Sequence, residues 1–191
     1  LVGEYLLGGT QAESIKNRAN PSKPLTVQGT PTYNANSVVV RSHETDGFGF
    51  TTGIIPADDA TMIVVRKNAS ISGSQAQIVG AYPNKLLGFA EYGTSNWGRN
   101  GEGALNQGAS RAKPSAGTVY FEALTLSRQN PQLTTGGYGK LYSYSAGVQQ
   151  VSTSANIIPI SRRAITQVCI VSTGLTDSIN TNNLEVYFVA I

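Results

Sequence analysis

The sequence predicts an all-β protein built as an antiparallel β-sandwich, and three observations lead to that fold class. The 191 residues are 40% hydrophobic and 13% charged, which suits a full hydrophobic core and argues against intrinsic disorder. The 21 glycines and 8 prolines, with many Ser, Thr and Asn residues, divide the chain at short intervals. Short runs rich in Val, Ile, Tyr, Phe and Thr lie between these turn residues, as in sandwiches and barrels. An immunoglobulin-like sandwich and a smaller β-barrel are the alternatives.

Several of these runs alternate as strands do. In residues 120–126 both the even-numbered and the odd-numbered positions are mostly apolar, which is typical of a strand covered on both faces. In residues 140–145 the tyrosines alternate with mostly small or polar residues. The predicted strands are Ser37–Ser42, Phe48–Ile54, Ala60–Arg66, Ala76–Tyr82, Leu86–Tyr92, Thr118–Leu126, Gly139–Ser145, Ala164–Val171 and Asn183–Ile191.

Helical signals are weak. Thr10–Ala19 is predicted to form two turns, because Glu13 and Lys16 are three residues apart and Pro21 ends the segment. No repeat of 20–50 residues is visible, which argues against solenoids and propellers.

The domain organisation is predicted as an N-terminal lead-in at 1–18 and a single sandwich domain at 19–191. No apolar run reaches the length of a membrane span, and no signal-peptide pattern is visible, so we expect no membrane insertion. Both ends look cut, so we expect a fragment of a longer chain. The apolar lead-in Leu1–Leu7 indicates either contacts within an oligomer or packing on its own domain.

The charge pattern argues against a nucleic-acid partner. The net charge is +3 and the isoelectric point is near 9.0, but adjacent basic residues occur only at Arg66-Lys67 and Arg162-Arg163. Nucleic-acid binders concentrate such charge on one face. The single Cys169 makes neither an intrachain disulfide nor a zinc site, so we interpret it as a buried, inert thiol.

Catalytic chemistry has one weak candidate, the segment that contains His43, Glu44 and Asp46. One histidine cannot build a multi-histidine zinc site, and no Gly-x-Ser-x-Gly elbow accompanies it. The two acids lie two residues apart and would share a face on a strand, but the third acid of sandwich-fold glucanases is missing. A solvated turn is the plainer interpretation, and the sequence predicts no metal site and no cofactor.

Carbohydrate binding requires less, namely an aromatic face for a sugar ring and polar groups for its hydroxyls. Trp97–Gly117 is predicted to be a long polar loop with the tryptophan at its mouth. Trp97 either stacks on a sugar or folds back as a plug of the core. The first candidate set is Tyr92, Trp97, Arg99, Asn100 and Glu102. The second set is Tyr138, Tyr142 and Tyr144, which packing of the sheet explains equally well.

Two stretches of the chain resemble known β-sandwich modules. Residues 47–54 and 60–66 are similar to the opening strands of laminin-G-like domains, and residues 183–191 are similar to their last strand. Residues 19–37 resemble the lead-in of phage tail-fibre modules of this type. The resemblance implies a concanavalin A-like jelly roll. The calcium ligands of the laminin-G-like family have no clear counterparts here.

The resemblance also implies a function, that of a virion tail-fibre or tailspike tip that recognises a bacterial surface polysaccharide. Such tips are usually homotrimers and act outside the host cell. We expect Trp97 to stack on a sugar, and Arg99, Asn100 and Glu102 to bond hydroxyls or a uronic-acid carboxylate. The alternatives are a polysaccharide depolymerase, glycoside hydrolase or lyase, and a purely structural trimerising tip.

Overall fold

The fold is an antiparallel β-sandwich of two large sheets with very little helix. The computed structural model describes residues 1–40, 49–54, 60–67, 75–82, 87–92, 95–100, 109–112, 115–127, 138–145, 148–153, 167–170 and 184–191. The strands are β1 (Glu4–Leu6), β2 (Thr26–Gln28), β3 (Thr32–Tyr33), β4 (Val38–Val40), β5 (Gly49–Thr51), β6 (Ala60–Lys67), β7 (Gln75–Tyr82), β8 (Leu87–Tyr92), β9 (Ser95–Asn100), β10 (Ala109–Ala112), β11 (Val119–Ser127), β12 (Tyr138–Ser145), β13 (Val148–Thr153), β14 (Gln167–Ile170) and β15 (Leu184–Ala190). The described helix is α1 (Gln11–Ser14).

The described strands form two sheets with crossover connections between them. Sheet A has the order β13-β12-β11-β6-β15-β4-β3, and β1 pairs with β15 beside this path. Sheet B has the order β10-β9-β8-β7-β14-β5-β2. All the pairings are antiparallel, and β9 and β10 of sheet B lie opposite β12 and β13 of sheet A. The predicted jelly-roll sandwich is confirmed.

The core lies between the two sheets and follows the strand alternation. On β6, Met62, Val64 and Arg66 are buried, whereas the alternate residues are exposed or half-buried. Sheet B contributes Phe50 and Phe89 to the same cluster. Burial of alternate residues on β6 defines the inner and outer faces of sheet A, and the buried Phe89 marks the inner face of sheet B.

The N-terminal segment packs on the sandwich. β1 pairs with β15, and the side chains of Tyr5 and Leu7 belong to the hydrophobic core. Leu1, Val2 and Leu6 remain exposed. One part of the apolar lead-in thus lies on its own domain, and the boundary at residue 18 stays a prediction.

The helix is shorter than the sequence predicts, because local side-chain bonds end it early. Thr10 and Glu13 form a capping box that starts the helix, and Ile15 is its C-cap. Asn17 then accepts hydrogen bonds from the backbone N–H groups of Ala19 and Asn20, at 3.0 Å each. These bonds hold the chain in a turn in place of further helix. Within the described residues, no helix is long and apolar enough to cross a membrane.

The predicted loop Trp97–Gly117 is wrong in part, because the structure forms strands there. Its first residues belong to β9, and β10 pairs with β9 over Ala109–Ala112. The segment carries no apolar alternation, so its strand character comes from backbone pairing with β8. Residues 101–108 lie outside the described residues.

Candidate functional site

The acid–base candidates His43, Glu44 and Asp46 lie outside the described residues. Among the residues that the structure does describe, no group of three or more His, Cys, Asp or Glu side chains could hold a metal ion. The remaining candidates for a binding site among the described residues are the two aromatic sets.

The first candidate set is positioned by the pairing of β8 with β9. Position 97 pairs with Ala90, and position 92 pairs with Ser95, so these positions share one face of sheet B with position 99. Phe89, on the alternate face, is buried in the core. The positions of Tyr92, Trp97 and Arg99 therefore belong to the outer face of sheet B, which we name the hairpin face.

The other two residues of that set are Asn100 and Glu102. Asn100 pairs with Leu87, so the strand alternation assigns position 100 to the inner face with Phe89. The expected role of Asn100 beside Trp97 and Arg99 stays a prediction. Glu102 lies outside the described residues.

The second candidate set lies on sheet A. Tyr142 pairs with Ala123 and Tyr144 pairs with Phe121, and these residues alternate with the buried Glu122 and Leu124. The positions of Tyr138, Tyr142 and Tyr144 therefore belong to the outer face of sheet A, which we name the tyrosine face. Tyr144 is 50% exposed and Tyr142 is partly exposed.

The tyrosine face continues across sheet A as a row of apolar side chains. Tyr144 pairs with Phe121, which pairs with Val65, which in turn pairs with Phe188 of β15. These three partners are half-buried. On the other side of Tyr144 the row ends at Gln149 of β13, which is exposed. An aromatic ring and an amide therefore lie next to each other at an open edge of the sheet.

The two candidate sets lie on opposite outer surfaces of the sandwich. The hairpin face belongs to sheet B and the tyrosine face to sheet A, and the core separates them.

The fold recurs in solved structures of known proteins. The binding domain of botulinum neurotoxin serotype D superposes with a TM-score of 0.62 at 10% identity, covering 98% of this chain and 47% of that domain. Trypanosoma rangeli sialidase in complex with sialic acid has a TM-score of 0.62 at 14% identity, covering 98% of this chain and 30% of the sialidase. The chain thus spans about half or less of these two proteins.

A third similar structure matches over most of both chains. Domain 4 of a GH43 extracellular arabinanase from Geobacillus stearothermophilus, in complex with arabinotriose, has a TM-score of 0.53 at 12% identity. The match covers 99% of this chain and 91% of that domain. No family model matches the sequence, and no curated protein matches it. At these identities the comparisons establish the β-sandwich fold.

A buried ion pair lies on the inner face of sheet A. Glu122 accepts hydrogen bonds from Nε and Nη2 of Arg66 at 3.2 and 3.0 Å, and both side chains are almost fully buried. The guanidinium also lies 4.7 Å from the ring centre of Tyr120, which pairs with Arg66 across the strands. The near-complete burial of both side chains indicates a structural pair.

Sequence reasoning missed a groove near the N-terminus. It is bounded by the end of β1, by α1 with the following turn, and by residues 35–36, and its volume is about 320 Å³. Lys16 and Arg18 line it. The sequence does show two basic residues two positions apart after a short helix. It does not show that they lie close to residues 35–36, because the fold brings these segments together.

Proposed function

We propose that this chain is a glycan-binding β-sandwich module. The observation that carries the proposal is the tyrosine face, where Tyr144 is half-exposed between Phe121 and Gln149 on an open sheet surface. The C–H face of a sugar ring packs on an aromatic ring, and an amide bonds to the sugar hydroxyls. Both groups are available at this edge without a deep pocket.

The similar structures support the proposal at the level of fold. The arabinanase domain is nearly the same size as this chain, and its structure contains arabinotriose. The sialidase structure contains sialic acid. A sandwich of this type is thus found in proteins that contact saccharides, which makes a saccharide the first ligand to test.

The finer proposal is that the module forms the tip of a virion tail fibre or tailspike and binds a bacterial surface polysaccharide outside the host cell. Its support is the resemblance of residues 19–37 to tail-fibre lead-ins, together with the low charge of the sequence. The homotrimer belongs to the same proposal. A net charge of +3 favours encounters with acidic capsules.

The test is a glycan array followed by binding measurements on three variants. Tyr144→Ala tests the tyrosine face, Trp97→Ala tests the hairpin face, and Thr32→Ala on the exposed edge of sheet A is the control. We expect Tyr144→Ala to weaken binding of a selected glycan roughly 2–10-fold, which corresponds to one lost aromatic contact. Its melting temperature should stay nearly unchanged, because the side chain is half-exposed.

Each outcome of this experiment assigns the site differently. A loss of binding in Trp97→Ala alone, at unchanged stability, would move the site to the hairpin face. A large loss of stability in Trp97→Ala would identify that side chain as part of the packing. Failure of every glycan to bind would overturn the proposed function, and new reducing ends after incubation with a polysaccharide would favour a depolymerase. Adsorption of a fluorescent fusion to host cells tests the tail-fibre part.

A further inference from the structure

The groove near the N-terminus combines an apolar wall with a charged rim. Leu6, which is 47% exposed, and Leu7 form part of its wall, and Asn36 faces them from the turn before β4. Lys16 and Arg18 complete the rim. An aliphatic surface, an amide and two cations together suit an acidic sugar ring, although no aromatic side chain among the described residues lines the groove.

Backbone bonds fix the shape of the groove. The backbone N–H of Gly8 donates to Oγ of Ser14 at 2.9 Å, and that hydroxyl donates to the carbonyl of Gly8 at 2.9 Å. The N–H of Gly9 donates to the carbonyl of Asn34 at 2.7 Å. Gly8 has φ +142, and a Cβ there would lie 2.6 Å from the backbone nitrogen of Ser37. Glycine is therefore required for the close approach of the two walls.

The groove carries an excess of positive charge. Lys16 and Arg18 are exposed, and neither forms a salt bridge with any residue that the structure describes. Glu13 also lines the groove, but its carboxylate accepts hydrogen bonds from the backbone N–H and the hydroxyl of Thr10, at 2.8 and 3.0 Å. These bonds, and to a smaller extent the nearby charge of Lys16, hold the pKa of Glu13 below its usual value. Its carboxylate is thus engaged within the capping box.

We propose that this groove is a separate binding site for a carboxylate-bearing sugar of the uronic-acid class. Arg18 and Lys16 bind the carboxylate, Leu6 packs against the C–H face of the ring, and the Asn36 amide bonds a hydroxyl. The inference rests on the proposed function for the saccharide nature of the ligand. The groove is separate from the tyrosine face, because β1, α1 and residues 35–36 bound the groove, whereas β12 carries the tyrosines.

The experiment compares three probes by calorimetry and by amide chemical shifts in NMR spectra. The probes are a glucuronate-containing tetrasaccharide, a neutral tetrasaccharide of N-acetylglucosamine, and citrate. The test variant is Lys16→Gln/Arg18→Gln, and the matched control is Lys23→Gln, which removes an exposed lysine outside the groove. We expect the acidic tetrasaccharide to shift the amides of Gly8 and Gly9 in the wild type.

The expected result is that the double variant binds the acidic tetrasaccharide at least about tenfold more weakly, whereas Lys23→Gln binds it as the wild type does. Unchanged affinity in the double variant, or amide shifts confined to the tyrosine face, would contradict the proposed sugar site in the groove. Either result would leave the proposed glycan-binding function unaffected. Binding of citrate but of neither tetrasaccharide would show that the groove binds anions and does not bind sugars. That result would also count against the proposed function. Tyr144→Ala should lose binding of the neutral tetrasaccharide while the acidic one still shifts the amides of Gly8 and Gly9. This result would show that the groove and the tyrosine face are two separate sites.

Discussion

At the scale of single residues, the buried Arg66–Glu122 pair is the most consequential interaction in the described core. A charge without a partner is costly in such a position, so each side chain depends on the other. Glu122→Leu removes the carboxylate that faces the guanidinium of Arg66, and we expect it to lower the free energy of unfolding by about 3–5 kcal/mol. Urea denaturation followed by tryptophan fluorescence measures the change.

The control for this prediction is the double variant Arg66→Met/Glu122→Leu. Apolar residues of similar size at both positions remove the buried guanidinium as well as the carboxylate, so the double variant should be more stable than Glu122→Leu. If the double variant is instead the less stable of the two, Arg66 contributes mainly through its other contacts, such as the ring of Tyr120.

A second residue-scale prediction concerns alkaline pH. The hydroxyl of Tyr5 donates to the carbonyl of Lys23 and accepts from Asn17, and its burial raises its pKa from 10.0 to about 12. The folded state then holds this proton more tightly than the unfolded state does. Its contribution to stability is therefore complete below pH 10 and is lost as the pH rises toward 12.

Tyr5→Phe tests this linkage, because phenylalanine has no proton to lose. The free energy of unfolding of the wild type, measured by urea denaturation at each pH, should fall more steeply between pH 9.5 and 11.5 than that of the variant, by roughly 1.4 kcal/mol per pH unit at most. Parallel slopes in the two proteins would show that other tyrosines, such as Tyr33 and Tyr187 with their raised pKa values, control the alkaline transition.

At the scale of elements, Asn17 joins β1 to the turn after α1. Its Oδ1 accepts from the N–H groups of Glu4, Ala19 and Asn20, and its Nδ2 donates to the carbonyl of Val2 and to the Tyr5 hydroxyl. Replacement by alanine leaves these buried and half-buried groups without their partner. Each such group costs about 1–3 kcal/mol, so Asn17→Ala should be strongly destabilising.

Hydrogen exchange localises the effect of Asn17→Ala. Faster exchange at the amides of β1 than at those of β11 is the expected result, with Asn20→Ala as the milder control. Uniform protection in the variant would mean that β1 is held by its pairing with β15 alone.

The strands differ in how well the sequence predicts them, and the reason is their source of stability. β6 and β11 are long, mostly apolar runs, so their hydrophobicity identifies them as strands and nearly fixes their ends. β9 reads Ser-Asn-Trp-Gly-Arg-Asn and β3 has two residues, so backbone pairing with the neighbouring strands β8 and β4 determines both, and no apolar pattern announces it. The candidate binding site could likewise be predicted only in part. The tyrosine face follows from the alternation of β12, whereas the separation of the two faces requires the sheet order.

At the scale of the whole molecule, the described binding surfaces are shallow, so one copy should bind weakly. Fusion of the chain to a trimeric coiled coil should slow dissociation from a glycan-coated surface by a factor of about 10²–10⁴, because further binding becomes intramolecular. Surface plasmon resonance on a dense glycan surface measures this factor. The trimer that carries Tyr144→Ala is the control, and equal off-rates for monomer and trimer would contradict multivalent binding.

The position of β15 between β6 and β4 also has a consequence for synthesis of the chain on the ribosome. β6 and β1 both pair with β15, so the middle of sheet A lacks a strand until residue 190 has left the exit tunnel. At roughly 5–20 residues per second, synthesis from Lys67 at the end of β6 to Ala190 takes on the order of 6–25 s, during which this edge of β6 has no partner. The strand order therefore leaves that edge available for pairing with other chains during synthesis.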